Sequence, residues 1–91
     1  MLPRDQLKRF TDRMEVTLRE NDYKGGWSHM THGQIMTRIY EEIRELNEAR
    51  KNLPWGTPSV DQINAVQKET IDTANFCMML FDILDRIEVS K

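Results

Sequence analysis

Two acidic clusters in helical register hold the side chains most able to do chemistry: Glu41-Glu42-Ile43-Arg44-Glu45 and Glu69-Thr70-Ile71-Asp72. At about 100° per residue, Ile35, Ile39, Ile43 and Leu46 form one apolar stripe. Glu42 lies beside it, three residues after Ile39 and four before Leu46, and Glu45 follows one step round the same side. Glu41 and Glu48 project further out. Glu69 and Asp72 share a stripe with Phe76, Met79 and Ile83. Glu42, Glu45, Glu69 and Asp72 are therefore expected to face inward, where crowded carboxylates either take up protons or bind a cation. Hard oxygen ligands without Cys or His select Mg²⁺, with Mn²⁺ as a substitute. A bundle di-iron site requires Glu-x-x-His pairs, and neither His29 nor His32 follows a Glu at that spacing. Glu-Glu-x-x-Glu also occurs on solvated helices, so it is the second acidic pair on an apolar face that favours a metal.

Three helical segments must position these acids. From Arg4 to Glu20, Leu7, Phe10, Met14 and Leu18 recur with an amphipathic period. Asn21 to Ser28, with its paired glycines, reads as a loop. Thr31-His32-Gly33-Gln34 matches a capping box, so a second helix is expected from His32 to about Ala49. Asn52 to Pro58 is a connector, and Ser59 with Gln62 offers a second capping box. A third helical pattern runs from Val60 to about Glu88, with a break expected near Asn64 to Lys68 because of its length. From Phe76 to Leu84 its apolar residues point in nearly every direction, more than two other short helices can cover. The reading is an all-α bundle of three main helices, one domain over residues 1–91, completed by homo-oligomerisation as a dimer or tetramer through residues such as Met78, Phe81 and Leu84.

Composition narrows the partners. A net charge of −2 argues against a nucleic-acid backbone as the main partner. No apolar run approaches the roughly 18 residues of a membrane span. The first residues lack the apolar stretch of a signal peptide, and the single Cys77 reads as a small core residue; a reducing cytoplasm fits both.

Taken together, Glu41-Glu42-x-x-Glu45 followed by Glu69-x-x-Asp72 resembles the EExxE…ExxD signature of the MazG-like nucleotide pyrophosphohydrolases, in the all-α NTP pyrophosphatase superfamily. Lys24-Gly25-Gly26-Trp27 and the stretch Asp72 to Met79 add to the likeness, which spans about Asn21 to Asp82. The resemblance implies Mg²⁺-dependent hydrolysis of a nucleoside triphosphate to monophosphate and pyrophosphate, in nucleotide-pool housecleaning. It places Glu42, Glu45, Glu69 and Asp72 as metal ligands, the four that spacing also selects. Glu41 matches the first Glu of the motif and serves either a second ion or the orientation of water. Many relatives carry a further helix after the second acidic pair, whereas this chain stops soon after Glu88.

Around the acids, one of Glu41, Glu42 or Glu45 is expected to accept the proton of the attacking water, and sequence does not separate ligand from base. Lys24 and Lys68 are candidates for phosphate, Lys68 with a solvated lysine as its alternative. Arg38, four residues before Glu42, either orients that carboxylate or clamps phosphate. Asn75 resembles a family position near the substrate, against a reading as a core amide. Trp27 either stacks on a base or packs its loop onto the bundle. Two rival functions stand beside hydrolysis: a catalytically silent helical module that binds nucleotide or protein, and a pure dimerisation bundle. A phosphoribosyl-ATP-like substrate is also compatible with the acidic signature.

Overall fold

The computed structural model describes residues 1–89, and their regular structure is entirely helical. Helix α1 covers Asp5–Glu20, a short 3₁₀ turn covers Asp22–Lys24, α2 covers His32–Lys51 and α3 covers Val60–Asp85. Both expected capping boxes form. The Thr31 hydroxyl accepts from Gln34 N–H at 3.1 Å while Gln34 Oε1 accepts from Thr31 N–H at 2.9 Å. Ser59 and Gln62 repeat the arrangement at 3.1 and 2.8 Å. Each box satisfies two amide donors that a helix start otherwise leaves bare. Between α1 and α2 the chain reverses through Gly25 and Gly26, at φ 97° and 73°, a left-handed conformation that strains any residue carrying a Cβ. The break expected near Asn64 to Lys68 does not occur; α3 is one helix throughout, with every position there tolerant of helical geometry.

Helices α2 and α3 pack along their lengths, and α1 lies against α3 and its own following turn without reaching α2 among the described residues. The buried apolar core consists of Ile35, Ile39 and Ile71. Along α2 the buried line runs through Ile35, Ile39 and Glu42, with Leu46 half-buried. Ile43, expected in that line, is turned about 80° from Ile35 and is 47% exposed, so a glutamate fills the core position. Cys77, expected inside, is exposed as well: the buried side of α3 follows Ile71 and Asn75, and Cys77 lies about 200° round the helix from Asn75. Helix α1 contributes no buried residue, leaving Leu7, Phe10 and Val16 exposed. No helix among the described residues is long and apolar enough to cross a membrane.

Candidate metal centre

Glu42 reaches the centre from α2, and Glu69 and Asp72 reach it from the adjoining turn of α3. Each offers a carboxylate oxygen within 4.8 Å of the other two. Packing forces this meeting, because Glu42 occupies a core position of α2 and the core of α2 is the face that α3 covers. The Glu42 side chain keeps only 9% of its exposure, and Glu69 and Asp72 keep 18% and 21%. Burial is the largest cause that pushes the Glu42 carboxyl up to about 7, followed by the Glu45 charge beside it and by Asp72 and Glu69. Burial also raises Glu69, partly opposed by the charge of Lys68.

Two of these oxygens, Glu42 Oε2 and Glu69 Oε2, are buried without any hydrogen-bond donor. Unpaired buried carboxylate oxygens are costly, and the donor set here, all hard anionic oxygen, is what Mg²⁺ or Mn²⁺ accepts. The residues present therefore fit a divalent cation. The chain's own cations satisfy the cluster only at its edge. Lys68 Nζ donates to Asp72 Oδ2 at 3.0 Å and stands 3.8 Å from Glu69, a pairing that raises the Lys68 pKa. Arg38 spends its guanidinium on Glu41 at 2.9 Å, stacks over the Phe76 ring at 5.1 Å, and approaches Glu42 only to 4.0 Å.

The remaining sequence candidates divide. Glu45, expected to face inward with the other three, lies about 80° round α2 from Ile35 and stays exposed. It is not among the clustered acids, and its charge helps raise the Glu42 and Glu69 carboxyls. Glu41 faces outward and is held by Arg38. Asn75 is buried; its amide donates to Met14 O at 3.3 Å across to α1, while its Oδ1 is left without a donor. Trp27 packs its loop back on α3, with Nε1 donating to Asp82 Oδ2 at 2.9 Å.

Glu42 and Asp72 open onto a cavity of about 1020 Å³ between α1 and α2, floored by α3. Lys24, Trp27, Arg38, Lys68 and Asn75 all line it. So do residues that the sequence reading missed: Arg9 and Arg13 on α1, and Asn64 and Gln67 on α3. A signal for Arg13 exists in the chain. The positions three and four away from it are Arg9, Phe10, Val16 and Thr17, none of which is an acid that could pair with it along the helix.

Compared with family models, with curated proteins and with solved structures, the chain gives no match.

Proposed function

We propose that this chain is a MazG-like, Mg²⁺-dependent nucleoside triphosphate pyrophosphohydrolase that converts a (d)NTP and water to (d)NMP and pyrophosphate. The observation that carries the reading is the Glu42, Glu69 and Asp72 cluster, which leaves two buried carboxylate oxygens without a donor and whose Glu42 and Asp72 line a cavity large enough for a nucleotide. Glu42, Glu69 and Asp72 would hold the cation. A divalent cation held there would supply neutralising charge for a polyanion and Lewis acidity toward a phosphoryl oxygen.

The chain's own residues supply the rest. Glu45 is the better placed proton acceptor for water, because it is exposed beside the cluster while Glu41 is committed to Arg38. Arg38, fixed on Phe76 and Glu41, gives the α2 wall a positive edge. Phe76, Met79 and Trp27 make an apolar end suited to a base. Asn75, with a free Oδ1, is positioned to accept a hydrogen bond at the cavity floor.

The working form in this reading is a homo-oligomer, dimer or tetramer. A core of three isoleucines is small for an independent fold. The accessible surface is 7504 Å², against about 5,500 Å² for a compact monomer of this mass. The radius of gyration is 15.5 Å, against about 12 Å for a globule of this length. The excess surface is of the size an obligate interface covers, and Ile63, Phe81 and Leu84 stand exposed along α3 to receive it.

The test is a screen for Mg²⁺-dependent pyrophosphate release over ordinary and damaged (d)NTPs, beside Asp72→Ala. The expected result is cleavage of at least one substrate and a loss of more than about 100-fold in the variant. Nucleotide binding without cleavage of any substrate would instead select the silent binding module.

A further inference from the structure

The cavity has a direction. Arg13 Nη1 donates to Gln67 Oε1 at 3.2 Å, Met14 O accepts from Asn75, and Trp27 reaches Asp82, so α1 and its loop advance along α3 from the Gln67 end toward the Asp82 end. Asn64, Gln67, Lys68, Asp72, Asn75, Phe76 and Met79 line the floor over about 22 Å of helix. Arg9 and Arg13 stand over the first part of that floor, the acids Asp72 and Glu42 come next, and the apolar Phe76, Met79 and Trp27 follow. Glu20, at the end of α1, and Asp22, in the turn that follows, line the cavity at the end away from Arg9.

Some helix cations are neutralised locally, Lys8 with Asp12, Arg19 with Glu15, Lys51 with Glu48 and Arg86 with Asp82, while Arg4, Lys24, Arg44 and Arg50 are not. Of the cations without a carboxylate partner among the described residues, Arg9, Arg13 and Lys24 line the cavity. Arg9 and Arg13 have no carboxylate within 4.0 Å among the described residues; Arg13 has only the neutral Gln67 amide. They are also like charges four apart on one helix, an arrangement that costs helix stability slightly.

We infer that Arg9 and Arg13 form a clasp for the two terminal phosphates of the substrate, holding the pyrophosphate that leaves. It rests on the proposed hydrolysis at the same site. With the terminal phosphates at the arginines, the α-phosphorus falls beside Asp72 and Glu42 and the base lies toward Phe76 and Trp27. Planar guanidinium groups suit this role, because each can pair with two phosphate oxygens at once. The arginines bind the ground state and steady the leaving group; they take no proton.

Inorganic tripolyphosphate tests the clasp without reference to the base. Mg²⁺-saturated protein is titrated calorimetrically with tripolyphosphate and with orthophosphate, as wild type, Arg9→Gln, Arg13→Gln and Arg44→Gln, the last an exposed arginine outside the cavity. The wild type should prefer tripolyphosphate, each clasp variant should weaken that binding about tenfold, and Arg44→Gln should leave it within about twofold. Orthophosphate binding and the Mg²⁺-induced rise in thermal midpoint should stay unchanged in all four. Clasp variants that match the wild type on tripolyphosphate, or an equal loss in Arg44→Gln, would overturn the clasp while leaving the hydrolase reading in place. A wild type that binds Mg²⁺ but no tripolyphosphate would overturn both.

Discussion

Helices α1 and α2 are both amphipathic in sequence, yet they meet opposite fates. Helix α2 delivers Ile35, Ile39 and Glu42 into the interior, whereas α1 only half-buries Met14, Thr17 and Leu18 and lays Arg9 and Arg13 along an open cavity. The difference lies in what covers each face. Helix α2 is packed extensively against α3; α1 makes a smaller contact with α3 and, among the described residues, touches no other helix except its own following turn. Periodicity specifies which side of a helix is apolar, and only the packing partner decides whether that side becomes a core.

That contrast is sharpest at the outer face of α3, where the missing cover is proposed to be a second copy of the chain. Phe81→Glu should convert an oligomer to a monomer in light scattering and lower the thermal midpoint by roughly 10 °C. An unchanged mass would mean that this stripe is not the interface. Within the protomer, Ile39→Ala should cost about 3 kcal/mol in denaturant unfolding and Phe10→Ala no more than about 1 kcal/mol. Equal losses would break the comparison and show that α1 is covered in the assembled state.

The electrostatic consequence is smaller and has a definite sign. The folded chain holds the Glu42 proton up to about pH 7, against an ordinary value of 4.5, so it binds more protons than the unfolded chain between those values. Without metal, this stabilisation is fully present below about pH 4.5 and is lost as pH rises through 7. Thermal melts in a chelator should therefore show stability falling by about 2 kcal/mol between pH 5 and 8. Glu42→Gln should flatten that slope, and saturating Mg²⁺ should offset it, because the deprotonated cluster is the form that binds a cation. A metal-free protein that gains stability over the same range would show that the cluster is solvated.

Much of the site was legible in the chain because helices fix the relation between residues three and four apart. Glu42, Glu69 and Asp72 meet as their spacing predicts, while Glu45, expected with them, stays exposed; both capping boxes form where Thr31 and Ser59 stand. Spacing failed where two residues competed for one place. Ile43 and Glu42 are neighbours at the edge of the same stripe, and hydrophobicity favours the isoleucine, but the axis of α3 selects the glutamate. Cys77 lies outside for a related reason: a helix apolar on all sides does not announce which side is covered. Arg9 has acids at helical spacing and is indistinguishable in sequence from a solvated arginine, whereas Arg13 carries only the weak signal of having none.

The central claim is that Glu42, Glu69 and Asp72 are a divalent-cation site, and a calorimetric Mn²⁺ titration of metal-free protein at pH 8 tests it most directly, with Asp72→Asn and Glu42→Gln measured alongside. Saturable binding in the wild type that disappears in both variants while their helical content is retained is the predicted result. Binding that is absent from the wild type, or that survives both substitutions undiminished, would contradict it.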